Sequence, residues 1–291
     1  MRSMIRTAHR QLPQVPSVVR PGEHACCRTG VAADRTRLVH AFLRDGLRRG
    51  DRVEYLCRDD ESAEAAVASA AKDHELRAAL ARKTLTIRGA QGHAANGTRD
   101  VQRMLVTVRE EHRRALADGH TGLSIAGDLS AGVPRVAGNE WLGEYKRALD
   151  LLDHTSLGLL CVYNQQRFPV ATLSNLAAAH DVDVTAELAG VGRAGSLAAG
   201  WVRADAALRL AGELDIASAA DLSDVLAAHF HGPLRLDLAD VSFVDVFGMR
   251  ALRGRTGQRL TIVAASDSVR RLLELLGWDT DPDIALEPAF A

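Results

Sequence analysis

The chain has 291 residues, of which 47% are apolar and 25% charged, with a formal net charge of −1. That length suits two domains of ordinary size, each able to bury its own core. The balanced charge, the lack of a basic–aromatic patch and the lack of a long apolar run argue against direct nucleic-acid binding and against a membrane span, so a globular cytoplasmic protein is expected.

Residues 1–20 mix basic and polar side chains with Pro13 and Pro16 and show no periodicity, so a disordered arm is expected. From Pro21 strands and helices alternate. His24–Cys27 reads as a strand, Arg28–Asp34 as a loop, and Arg35–Leu47 as a helix with Leu38, Val39, Phe42, Leu43 and Leu47 on one face. Val53–Cys57 is the next strand, Glu61–Ala81 one Ala-rich helix, and Leu85–Ile87 another strand. Val101–Leu116 is a helix with Met104, Leu105, Val108 and Leu116 inward; Leu123–Ala126 and Leu157–Tyr163 are buried strands, with a helix at Trp141–Leu152 between them. Such alternation predicts a mainly parallel sheet covered on both faces. The segment 185–200 is Ala/Gly-rich and reads as a flexible linker between a first domain, 21–184, and a second, 201–291, that fold independently.

The second half reads as strands at Trp201–Arg203 and Leu208–Leu214, a helix at Ser218–Phe230, a central strand at Leu234–Leu238 and a short helix at Met249–Leu252. A last strand at Leu260–Ala264 and a last helix at Ser268–Gly277 follow. Asp245 is placed to cap the short helix, its carboxylate accepting from first-turn amides. Cys26, Cys27, Cys57 and Cys161 lie on apolar strand-like segments without a C-x-x-C pair, as reduced structural thiols do.

No catalytic constellation stands out: there is no G-x-S-x-G elbow and no H-E-x-x-H, so the chain is not expected to be an enzyme. His24 and Cys26 share a strand face and offer two metal ligands, but a structural zinc needs four and none nearby in sequence completes the set, so neither a metal nor another cofactor is expected. Asp128 and Tyr163 lie at or near the ends of buried strands, where open α/β sheets place ligands. With His24, Cys26 and Arg167 they make up the candidate pocket.

Two resemblances add to this. Leu210-Ala-Gly-Glu-Leu-Asp215, then Asp237, Leu238, Val241, Phe243, Asp245 and Gly248, resemble the signature of the STAS domain of anti-sigma factor antagonists. That likeness implies a smaller α/β domain whose partner-binding face includes Asp215, Ser242, Asp245, Val246, Phe247, Gly248 and Met249. Its implied partner is an anti-sigma factor of the serine kinase type or another STAS protein, with homodimerisation as an option. The family's phosphoacceptor serine follows the aspartate, and that position is Val246 here, so the usual phospho-switch is missing; Ser242 lies earlier, on a strand where its hydroxyl is expected to be half-buried. Residues 21–183 resemble the MEDS sensory domain through Pro21-Gly-Glu-His24-Ala-Cys26, Phe42–Gly50, Gly122–Ser130 and Cys161–Phe168. This implies a small-molecule signal. The layout is also similar to a RecA-like fold, but Arg28–Thr36 has one glycine and no lysine where a phosphate loop needs G-x-x-x-x-G-K-[ST]. The expectation is thus an α/β protein, a RecA-like mainly parallel three-layer domain followed by a STAS-like domain, acting as a signalling regulator. The alternatives are a degenerate nucleotide-binding protein or enzyme, or a STAS-mediated scaffold.

Overall fold

The computed structural model describes residues 16–89, 98–130, 155–186, 196–230, 232–253 and 259–287. The first module runs β1 (His24–Thr29), α1 (Ala32–Arg49), β2 (Arg52–Cys57), α2 (Asp60–Ala70), α3 (His74–Arg82), β3 (Leu85–Gly89), α4 (Thr98–Ala117), β4 (Leu123–Asp128), β5 (Leu157–Asn164), α5 (Val170–Ala178) and β6 (Val182–Thr185). The second runs β7 (Leu197–Val202), β8 (Ala207–Leu214), α6 (Ile216–His229), β9 (Leu234–Val244), α7 (Val246–Leu252), β10 (Leu260–Ala265), α8 (Asp267–Leu276) and β11 (Ile284–Leu286). The helix expected at Trp141–Leu152 lies outside the described residues.

Local chemistry explains most boundaries. The near-continuous apolar run of β5 is what a strand covered on both faces requires. α1 stops at Gly50, which takes the left-handed conformation (φ 90°) and returns its amide to Gly46 and Leu47. The single helix expected over Glu61–Ala81 is two, because extended Asp73 interrupts it and caps α3 by accepting from the amides of Glu75 and Leu76. On α4, Leu105 is buried as expected, but Leu116 faces solvent at 45% exposure. β9 continues through Asp240 to Val244 rather than ending at Leu238, with register shifts against both neighbours.

The strands form one eleven-stranded sheet in the order β11-β10-β9-β8-β7-β6-β1-β5-β4-β2-β3. β6 with β7 and β7 with β8 pair antiparallel; the other pairs are parallel. α1 covers one face of the first module through Phe42 and Leu43, while α4 and α5 cover the other around Leu105, Leu123, Leu173 and Leu176. The second module has its own core, with Leu208, Leu236, Met249, Ile262 and Leu273 at its centre.

The linker expected at 185–200 is shorter at both ends. Thr185 closes β6, Leu197–Gly200 opens β7, and the two strands pair with Val184 opposite Gly200. A Cβ on Gly200 would lie 2.9 Å from Val182 and 3.0 Å from Val18, so the small residues that resemble a linker are those that let the modules approach. Nor is the arm loose to residue 20. Val18 and Val19 are buried in one cluster with Ala25, Val182, Ala198 and Ala211, which come from both modules.

A buried ionic network closes this junction. Arg209 on β8, 2% exposed, donates to Asp237 (3.0 Å), to Glu23 ahead of β1 (2.8 Å) and to the Val18 carbonyl (2.9 Å). Arg20 pairs with Asp237 at 2.9 Å and Asp240 at 2.7 Å. Burial pushes the Asp237 carboxyl up, but the hydrogen bonds from Arg209 and Arg20 outweigh it and hold it below its ordinary value.

Candidate functional site

A cavity of about 230 Å³ opens at the C-terminal ends of β2 and β4, under the first turns of α1 and along α2. Ligands in open α/β sheets bind at this edge, where strand ends and helix N-termini converge. Tyr55 and Cys57, two apart on β2, face it together with Asp128 at the end of β4, Arg35, Thr36 and His40 on α1, and Ser62 and Ser69 on α2. The Arg35 guanidinium lies 3.5 Å from the Asp128 carboxylate, and Asp128 also accepts from the Ser130 amide. Burial raises the Tyr55 hydroxyl and pushes the Cys57 thiol up to about 12, and burial lowers His40. At neutral pH these three are therefore uncharged, and the cavity offers neutral hydrogen-bonding groups beside the Arg35–Asp128 pair and Arg58, which pairs with Asp59 at 2.7 Å. The degenerate phosphate-loop segment is engaged internally. Val31 caps α1 without a side-chain bond, Asp34 pairs with Arg37, and Arg35 is turned to Asp128.

The five residues expected to line one pocket separate. Asp128 borders this cavity. His24, Cys26 and Tyr163 lie on the opposite face of the sheet, buried beneath α5. Arg167 is half-buried in a one-turn 3-10 helix that follows β5. Beneath α5, His24 Nε2 stands 3.2 Å from Cys161 Sγ, and the rings of His24 and His180 lie 3.9 Å apart between centroids, tilted by 32°. Tyr163 meets the His180 ring edge-on at 5.8 Å. Cys26 turns instead toward Asp183 at 3.5 Å; burial first, then the Asp183 charge, raises its thiol well above the usual range. His180 follows α5 and its Nδ1 lies 2.6 Å from the Leu176 carbonyl. Burial holds its pKa down to about 4, with the Arg203 charge adding to the effect. Sequence reading missed Tyr55, Cys57, Cys161 and His180 as site residues; the i, i+2 pairing of Tyr55 and Cys57 at a strand end was the one local signal available.

On the second module, Asp245 and Asp215 act as helix caps. Asp245 accepts from the Gly248 amide at 2.8 Å and from the Ile216 amide at 3.0 Å, tying α7 to the start of α6. Asp215 forms a capping box with Ser218. Gly248 is required here, since a Cβ would fall 2.1 Å from the Leu214 carbonyl oxygen. Met249 is fully buried in the core, which removes it from the expected partner face. Ser242 is exposed rather than half-buried, because it lies in the last part of β9, where both it and Phe243 are open to solvent. Around the paired caps stand three exposed apolar side chains, Ile216 (62%), Phe243 (52%) and Phe247 (51%). Phe243 also borders a shallow groove with Arg271, Leu272 and Leu275. Aromatic side chains left in water at a surface rimmed by charge mark interaction sites.

One further contact joins the modules. Arg203, at the end of β7, donates to the carbonyls of His180 (2.9 Å) and Ala177 (2.6 Å), so the second module grips the C-terminus of α5.

Comparison with known proteins matches this division. The family model described as "MEthanogen/methylotroph, DcmR Sensory domain", MEDS, matches residues 23–181. The model described as "Mlab, STAS domain" matches residues 197–287. The search of curated proteins returned no match. Among solved structures, the chain is similar to the flagellar accessory protein FlaH from Methanocaldococcus jannaschii at 14% identity, covering 65% of this chain and 79% of that one with a TM-score of 0.37. Among the described residues no helix is long and apolar enough to cross a membrane.

Proposed function

This chain belongs to the MEDS family and carries a STAS domain behind its sensory domain, and from that premise we propose that it is a partner-switching regulator controlled by a small molecule. The signal is a compact, polar, hydrogen-bonding molecule that fits the 230 Å³ cavity beside Arg35, Tyr55, Cys57 and Asp128. The output surface is the STAS face of Ile216, Phe243 and Phe247, and its partner is an anti-sigma factor of the serine kinase type or a second STAS protein. The chain acts by binding and is not an enzyme.

The observation that carries this reading is the physical continuity of the two modules. One sheet runs through both, and Arg203 and Arg209 reach from the STAS domain into sensory-domain structure. A change in α5 or β1 therefore meets the STAS strands directly. Val246 has no hydroxyl to phosphorylate, so control by kinase activity at that position is replaced by control from the sensory domain. Titration calorimetry of the full chain against an anti-sigma kinase encoded in the same genome tests this. Binding that persists over hours with Mg-ATP, and weakens about tenfold or more in Phe247→Ala, is expected for a loss near 1.4 kcal/mol or above. Absence of binding at tens of micromolar to every such kinase and STAS protein would overturn the partner-switching role.

A further inference from the structure

We propose that His24, Cys161 and His180 form a binding site for one transition-metal ion of the zinc class. The three side chains come from the first residue of β1, the middle of β5 and the segment after α5, and all three are buried. One ligand atom from each, two imidazole nitrogens and a sulfur, lies within 4.8 Å of the others. Zinc with Zn–N of about 2.0–2.1 Å and Zn–S of about 2.3 Å sets ligand-to-ligand separations of about 3.3–3.7 Å. The 3.2 Å from His24 Nε2 to Cys161 Sγ is just under that range, and the remaining separations need a contraction of no more than about 1.5 Å.

The surroundings orient the donors as metal sites do. The Leu176 carbonyl can only accept, so at 2.6 Å it places the His180 proton on Nδ1 and the lone pair on Nε2. The backbone is pinned on both sides: Asp181 N–H donates to the His24 carbonyl at 2.8 Å, and His24 N–H donates to the Asp181 carboxylate at 3.0 Å. Arg203, the nearby cation, has its guanidinium on the backbone carbonyls of Ala177 and His180. The His24 and His180 rings, tilted by 32° at 3.9 Å between centroids, and the Cys161 sulfur offer two nitrogens and one sulfur, a donor set that matches a borderline-soft cation. On binding, the Cys161 thiol gives up its proton to solvent, and the thiolate with two neutral imidazoles leaves a site of net charge +1 around a divalent ion. Three protein ligands leave one coordination position for water or an external ligand, as in metal sites that do more than hold structure.

The test uses the full, untagged, reduced chain with Zn²⁺ and with Co²⁺ as a spectroscopic substitute. One equivalent of Co²⁺ is expected to bind with a thiolate-to-metal charge-transfer band in the near ultraviolet, and Zn²⁺ should displace it. Cys161→Ser should abolish the charge-transfer band, and His180→Gln should weaken binding at least about a hundredfold, since even outer-shell partners cost 10–100-fold. Cys26→Ser, the adjacent buried thiol that faces Asp183, should bind as the parent does. Failure of the parent chain to take up either metal at micromolar concentrations would overturn the site. So would a charge-transfer band that survives Cys161→Ser or is lost in Cys26→Ser.

Discussion

Arg209→Met would expose how much of this protein's stability sits at the junction. Methionine keeps most of the buried stem and removes three hydrogen bonds, to Asp237, Glu23 and the Val18 carbonyl. Asp237 is left with its side chain 4% exposed, and removing one partner of a buried pair costs about 3–5 kcal/mol. The lower end applies, because Asp237 keeps Arg20 at 2.9 Å and the Ala239 amide at 3.2 Å, and Glu23 keeps the Arg20 amide at 2.8 Å. The expected loss is therefore about 3 kcal/mol. Arg209→Met combined with Asp237→Leu removes the stranded carboxylate and should recover more than half of that loss, since an ion pair replaced by apolar groups is often neutral. Urea unfolding of the full chain, followed by circular dichroism at two or more wavelengths, measures both. A loss below about 1 kcal/mol for the single variant, or a double variant as unstable as the sum of the singles, would refute this view of the network.

Acid should act through the same carboxylate. The folded-state pKa of Asp237 lies below its ordinary 3.8, so its contribution is complete above that pH and is lost as pH falls through the lowered value. Asp237→Asn should flatten this part of the acid titration of stability below pH 3.8. Gly248→Ala forces a Cβ against the Leu214 carbonyl oxygen at 2.1 Å and should cost about 2–3 kcal/mol, measured by thermal unfolding. Incubation of the full chain with an anti-sigma kinase and ATP should leave the peptide spanning β9 and α7 without added phosphate by mass spectrometry; phosphate on exposed Ser242 would mean that the switch has moved to β9.

What could be read from the sequence was whatever local chemistry determines. The apolar run of β5 and the cap at Asp245 act within a few residues, and both are legible in the sequence. Contacts made over long range were not. Cys161 lies 137 positions from His24, so no spacing rule could bring them together, and His180 is further still. β6 is only four residues long, Val-Asp-Val-Thr, and its alternation is too brief to mark a strand by itself. Leu197–Gly200 reads as linker because alanine and glycine carry no pattern; their function is to be small where Val18 and Val182 approach. Pro16–Arg20 reads as a polar arm, yet its two valines and Arg20 bind across both modules.

The central claim is that sensory and STAS domains form one cooperative body, and the most direct test is whether they unfold together. In a Trp141→Phe background the remaining tryptophans, Trp201 and Trp278, both lie in the STAS domain, while the four cysteines all lie in the sensory domain. Buried thiols such as Cys57, pushed up to about 12, react with alkylating reagents only once exposed. Denaturant titration with tryptophan fluorescence and pulsed thiol labelling on the same samples should give coincident midpoints. Cysteines that become labelled at a denaturant concentration where the tryptophans still report a folded STAS domain, or the reverse, would contradict a shared body and return the protein to two independent modules.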